Sequence, residues 1–231
     1  MATFTLITGR AGSGKTAMVM GEIARAVERR EKGQLLLIPE QYSHEAEKEL
    51  CRVCGDSLSL YGEVLSFSRL AACVEEELGI RCCLLDRGGR LLAMKTALHA
   101  LEGRLKAYSA ACRRPEMLSA LLELVAELKS DAISAEALSA VAAQEGGPLG
   151  DKLSDISLIL GAYDSVTARG SADPADRLSR LRDNLSRSSL GRGGHIYIDG
   201  FSGFTMQETQ VIGALMDKGV DMTLCLTCDG L

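Results

Sequence analysis

The 231-residue sequence is poor in what a self-sufficient nucleic-acid surface needs: aromatic residues make up 4% of it, and 26 Lys and Arg are outnumbered by 31 Asp and Glu, for a formal charge of −5. No global positive field draws a phosphate backbone, and there is no basic, aromatic-rich stretch, so any contact with nucleic acid has to be local. No run approaches the roughly 18 consecutive apolar residues of a membrane span. Gly9-Arg10 interrupts the apolar start too early for a secretory leader, so the chain reads as cytoplasmic with no membrane partner. Internal repeats and low-complexity tracts are missing too. The three histidines, His44, His99 and His195, are scattered and read as packing or surface residues rather than catalysts.

Eight cysteines are present, and Cys51-Arg52-Val53-Cys54 and Cys225-Leu226-Thr227-Cys228 both have C-x-x-C spacing. Their context argues against a metal site. The first pair falls in a half-apolar helical segment and the second in or just after a strand, at a separation unlike a zinc ribbon. Cys73, Cys82, Cys83 and Cys112 show no ligand spacing. Reduced, structural thiols are the expectation, with a metal site as the lesser alternative.

What the sequence does have is a complete phosphate-binding loop, Gly9-Arg10-Ala11-Gly12-Ser13-Gly14-Lys15-Thr16, which matches every fixed position of G-x-x-x-x-G-K-[ST]. Phe4, Leu6 and Ile7 predict a short strand before it. Val19, Met20, Ile23, Ala24 and Val27 predict a helix from 17 to 30 after it. The chemistry explains the residue types. Glycines permit left-handed backbone and close approach of N–H groups to phosphate oxygens, and the helix adds the positive end of its dipole. Lys15 is expected to reach the β- and γ-phosphates of ATP, and Thr16 to ligate Mg²⁺. The alternative is a Gly-rich turn before an ordinary helix.

The apolar run Leu35-Leu36-Leu37-Ile38 predicts a strand buried on both faces, and Glu63 to Phe67 a third strand between helices at 43–54 and 69–78. This β-α-β-α-β-α order implies a parallel sheet. From 86 to 188 no convincing strand is found, only amphipathic helices near 88–106, 115–130, 135–145, 149–168 and 174–188. Ser134 and Asp173-Pro174 read as helix starts. Leu118, Leu121, Leu122, Val125 and Leu128 read as core, and the charged faces as solvated. The α/β pattern resumes at His195-Ile196-Tyr197-Ile198-Asp199, an apolar strand ending in an aspartate placed to hold the Mg²⁺ shell opposite Lys15. Thr205 and Glu208 form a capping box for a helix to Lys218, and Val220 to Leu226 is a last strand. An α/β core of 1–80 and 190–231 is therefore expected, with a helical subdomain of 81–189 inserted in it.

Four segments in chain order, Gly9 to Thr16, Leu37 to Gln41, Val64 to Ala71 and Ile196 to Phe201, together with Phe204-Thr205 and Gln207-Glu208, resemble the N-terminal part of the AddB family. These are the B subunits of bacterial AddAB helicase–nucleases. The resemblance spans the whole chain, with the helical middle its least specific part. It implies a P-loop NTPase fold of the superfamily-1 helicase kind. It also implies a heterodimer with an AddA-type motor subunit, and action on double-strand DNA ends and single strands with Chi recognition in recombinational repair. The family continues beyond Leu231 into a second core domain and a nuclease domain with an iron–sulfur cluster, so the chain is expected to be a fragment without the nuclease residues or the cluster's ligands. By the same resemblance Asp199 takes the Walker B position, and Ser66, Ser68 and Arg69 lie on the segment that leads toward single-stranded DNA. Gly200 departs from the pattern, since a motor ATPase places a water-polarising glutamate there. Binding of ATP with poor hydrolysis is the expectation.

Two other readings remain open at this stage. One is a small-molecule or nucleotide kinase whose lid would draw on Arg177, Arg180, Arg182 and Arg187. The other is an interaction scaffold with a vestigial nucleotide site.

Overall fold

The computed structural model describes residues 2–109 and 114–228, with the backbone alone at 115; Cys112 lies outside the described residues. In chain order the elements are β1 (Phe4–Gly9), α1 (Lys15–Glu28), β2 (Gln34–Leu37), α2 (Ser43–Cys54), α3 (Leu58–Tyr61), β3 (Gly62–Leu65) and α4 (Phe67–Glu77). A helical run follows: α5 (Arg87–Ala100), α6 (Pro115–Ser130), α7 (Ala135–Glu145), α8 (Gly147–Thr167) and α9 (Arg177–Asn184). The chain then returns through β4 (His195–Ile198), α10 (Met206–Asp217) and β5 (Asp221–Thr227). Among the described residues no helix is long and apolar enough to cross a membrane.

The chain divides into two compact units, residues 1–80 with 178–231, and residues 81–177. In the first, five strands form one parallel sheet in the order β1-β5-β4-β2-β3. Leu36, Val64, Tyr197 and Cys225 pack beneath α1, α2 and α3 on one face. Leu35, Leu37, Ile196, Ile198, Met222 and Leu224 pack beneath α4, α9 and α10 on the other. The alternation of these side chains along continuous apolar strands is the consequence of burying both faces. Two expectations need correction. The third strand stops at Leu65, because Ser66 turns the chain and its Oγ accepts the Arg69 N–H at 3.3 Å as the cap of α4. The expected insertion ran to 189, whereas the helical unit ends at Arg177: Leu181 and Leu185 are fully buried against the sheet with Val211 and Leu215.

Among the described residues the second unit is built of helices, apart from one parallel bridge between Leu84 and Ala172. Leu121, Leu122 and Val125 of α6 are buried with Met94, Leu98, Ile159, Leu160 and Tyr163, flanked by the partly buried Leu118 and Leu128. Ser134 caps α7 by accepting the Ala137 N–H at 3.2 Å. Asp173 accepts the Ala175 N–H at 3.1 Å, although only a single 3₁₀ turn, Pro174–Asp176, precedes α9. The charged faces, expected to be solvated, are not all so. Asp155 of α8 is buried and takes the N–H groups of Lys106, Ala107 and Tyr108 at 3.1, 2.7 and 2.9 Å, which fastens the turn after α5. Lys129, 7% exposed, reaches Asp164 and Asp176 at 2.8 Å and Asp173 at 3.4 Å, with its ammonium 5.3 Å from the centroid of the Tyr163 ring. Arg90 meets Asp173 from the other side at 3.1 Å. Burial pulls the Lys129 ammonium down, but its hydrogen bonds to Asp164 and Asp176 carry it above the ordinary lysine range.

His195, the first residue of β4, shares a 2.8 Å hydrogen bond between Nε2 and Thr223 Oγ1 and stacks at 4.3 Å on Tyr197. Burial holds its imidazole below the ordinary histidine value of 6.5. The neutral ring is thus the one the fold favours. Its stabilising contribution is complete above pH 6.5 and is lost as the pH falls through that value toward the folded-state one. Urea unfolding of wild type and His195→Gln across this range is expected to show a shallower loss of stability in the variant; equal slopes would refute the assignment.

Candidate functional site: a phosphate-loop cleft

The loop is built at the C-terminal end of β1. Gly12 and Gly14 have φ of 76° and 87°, which only glycine adopts without strain, and Gly14 is the N-cap of α1. At Gly9 the demand is spatial instead, since a Cβ there would lie 2.7 Å from Ser13 Oγ. The Ser13 N–H closes a turn onto the Arg10 carbonyl at 3.2 Å. Lys15 opens α1 and donates from Nζ to the carbonyls of Gly9 and Arg10, both at 2.9 Å. Thr16 follows it, exposed on the first turn.

Asp199 comes to the same place from another strand. It sits directly after β4, with its N–H on the Leu37 carbonyl at 3.1 Å, and is 6% exposed. One cleft of about 820 Å³ is lined by Ala11 to Ala17 of the loop and first turn, by Asp199 to Ser202, and by Cys225 and Thr227 of β5; Met20, Gly21, Glu49 and Val53 of α1 and α2 complete it. It lies outside the carboxyl ends of parallel strands, where open α/β sheets hold their ligands. The donors suit a magnesium nucleotide: backbone N–H groups at a helix start, an ammonium, a hydroxyl and a recessed carboxylate, all hard groups. In such a complex Thr16 and Asp199 would hold Mg²⁺, which supplies charge neutralisation to the phosphates.

Cys225, Thr227, Glu49 and Val53 were not legible as site residues. Cys225 and Thr227 arrive because β5 inserts between β1 and β4, a spatial order with no local sequence signal. Burial, with the Asp199 carboxylate adding to it, pushes the Cys225 thiol up to about 12, so it remains protonated beside the aspartate. Among the described residues no three His, Cys, Asp or Glu side chains gather as a metal-holding group. The proposed DNA-facing set is split. Ser66 is buried and committed to its cap, Ser68 is half-buried, and Arg69 alone is exposed. Of the glutamates nearby, Glu49 lines the cleft, whereas Glu40 begins an exposed 3₁₀ turn and Glu208 is tied back to the Thr205 N–H at 2.8 Å in the capping box. Gly200 has φ of 81°, so the backbone at this position is itself set for glycine rather than for a side chain.

Comparison with known proteins agrees with the order of these segments. Residues 6–231 match the family described as "ADDB, N-terminal". Curated relatives named as the B subunits of ATP-dependent helicase/deoxyribonucleases include those of Acetivibrio thermocellus, 34% identical over 96% of this chain, Heliobacterium modesticaldum, 33% over 95%, and Clostridium kluyveri, 31% over 97%. The alignments cover 20%, 19% and 20% of those proteins, so the chain spans about one-fifth of their length. With one family matched from the first strand to the last residue, and the loop, the turn at Ser66 and the aspartate after β4 all inside the match, the chain belongs to the AddB N-terminal family.

Proposed function

We propose that this chain is the nucleotide-binding part of a DNA-processing helicase–nuclease, with the P-loop NTPase fold, and that it binds ATP with Mg²⁺ in the cleft beside β1. One observation carries the reading: Asp199, far along the chain from Lys15 and Thr16, lines the same cleft as they do at the start of α1. The relatives' names, B subunits of ATP-dependent helicase/deoxyribonucleases, support action of the longer protein on DNA within a complex; the resemblance to the AddB family adds, as part of this proposal, a motor partner of the AddA type, double-strand ends and single strands as substrates, and Chi recognition. Calorimetric titration of ATP·Mg²⁺ and ADP, repeated with Asp199→Asn, tests the binding site. Saturable binding weakened in the variant is expected, and no heat at millimolar nucleotide would refute it. The kinase reading loses support, because Arg180 is paired with Glu75 at 3.1 Å and Arg182 with Asp183 and Gln210 at 2.8 and 2.6 Å.

Hydrolysis is expected to be negligible in this chain. Attack in line needs a group that orients water and a cation at the developing charge, and their loss typically lowers rates by about 10² to 10⁵. Gly200 supplies no carboxylate, and neither Glu40 nor Glu208 lines the cleft. A steady-state phosphate-release assay showing turnover near one per second, abolished by Lys15→Ala, would overturn this and implicate Glu49, the glutamate on the cleft wall.

A further inference from the structure

Asp199 has two lateral neighbours in the sheet, and the side chain of only one of them can donate a hydrogen bond. The last register pairs before it are Leu37 with Ile198 and Ile198 with Leu224, so one step further along these parallel strands Asp199 lies between Ile38 and Cys225. The ladder still runs at this level, with the Ile38 N–H on the Leu65 carbonyl at 3.0 Å and the Asp199 N–H on the Leu37 carbonyl at 3.1 Å. Side chains at one level of a parallel sheet share a face. Ile38 and Cys225 are both buried on the face that α1 covers, as is Tyr197, two residues before the aspartate. Ile38 has nothing to donate, whereas Cys225 has an S–H.

The other donors nearby are engaged or face the open cleft. Lys15 Nζ is turned to the carbonyls of Gly9 and Arg10, both at 2.9 Å. The Tyr197 hydroxyl donates to Gln34 Oε1 at 3.3 Å, at the start of β2. Thr16 and Thr227 line the cleft from exposed positions, while Cys225 and Asp199 are only 2% and 6% exposed.

A carboxylate this far from water needs a donor on its inner side. A thiol is protonated at neutral pH even at its ordinary pKa of about 8.5, and its weak S–H bond strengthens when the acceptor is ionised. A carboxylate has two oxygens and several lone pairs, so one such bond leaves the side facing the cleft free.

We infer, on the reading of the cleft as a magnesium–nucleotide site, that Cys225 is a positioning residue: its S–H donates to one Asp199 carboxylate oxygen and keeps the other free for the Mg²⁺ that Thr16 would share. Strand order gives it this role, because β5 lies between the strand that carries the phosphate loop and the strand that carries the aspartate.

The expected signature is a loss confined to the metal. In the full-length protein, the ratio of the ATP dissociation constants without and with Mg²⁺ measures the coupling between metal and nucleotide, and Lys15→Ala marks the binding that belongs to this cleft. Cys225→Ala is expected to lower the ratio about tenfold, as loss of the hydrogen-bond partner of a ligating carboxylate does, and to leave the Kd in EDTA within about twofold of wild type. Cys225→Ser, which restores a donor, is expected to recover most of the ratio; Cys225→Val, which fills the space without one, is expected to behave like Cys225→Ala. Thermal midpoints show that each variant is folded. An unchanged ratio in Cys225→Ala overturns the inference, as does a loss in Cys225→Ser as large as in Cys225→Val.

A second arm needs no nucleotide. The S–H stretch of Cys225, isolated as the infrared difference between wild type and Cys225→Ala, is expected below the frequency of a free thiol and is expected to rise in an Asp199→Ala background. A band unmoved by Asp199→Ala overturns the inference alone. Wild type that binds no ATP with or without Mg²⁺ would overturn the nucleotide reading itself, and the inference with it.

Discussion

Lys15→Ala is expected to weaken ATP·Mg²⁺ binding by about 2 to 4 kcal/mol, a factor of roughly 30 to 1000 in Kd. The ammonium donates to the Gly9 and Arg10 carbonyls at 2.9 Å, so it braces the loop while its charge stands at the start of α1, next to the exposed Thr16 hydroxyl. Removing it takes away a charge-assisted contact to phosphate and also the brace, and both losses act in the same direction. Calorimetry on the folded variant, with its thermal midpoint measured alongside, separates a lost site from a lost fold. An unchanged Kd would mean that the loop holds no phosphate.

Lys129→Met is expected to lower the unfolding free energy by about 3 kcal/mol, near the lower end of what breaking a buried ion network costs. Three carboxylates converge on this one ammonium. Asp164 and Asp176 reach solvent and can be rehydrated, but the Asp173 side chain is fully buried and would lose one of the cations that face it, with Arg90 at 3.1 Å remaining. Asp164 already feels this, since burial holds its carboxyl above the ordinary aspartate value despite the neighbouring lysine. Lys129→Arg keeps the charge and is expected to recover part of the loss. Urea unfolding followed by far-UV circular dichroism gives the measurement, and a change below about 1 kcal/mol would show that the cluster is already well solvated.

The turn of residues 9–16 and the helix start after it were legible in the sequence because their demands are local: glycine where φ is positive at 12 and 14, a lysine and a hydroxyl at the start of a helix. The strands Leu35 to Leu37 and Ile196 to Ile198 were legible because burial on two faces leaves an uninterrupted apolar run. Ser66 was misplaced for the opposite reason. A serine at a strand's end has the same local signature whether it faces a ligand or caps the next helix, and here the burial of Phe67 and Leu70 in the core starts the helix that Ser66 caps.

By itself, then, the amino-acid order determined the parallel α/β type of the outer segments, the helical type of the middle and the glycine-rich turn of residues 9–16 at the start of a helix, all set by periodicity and backbone preference within a few residues. The tertiary structure decided what depends on strand order and on charge in confined space. The insertion of β5 between β1 and β4 brings Cys225 and Thr227 to the cleft and leaves Phe4 and Leu6 bare, and the convergence of α6, α8 and the turn before α9 turns Lys129 from a surface lysine into a buried one. Neither follows from local pattern, because strand order and ion pairing across 35 to 47 residues of chain are settled by which surfaces exclude water together.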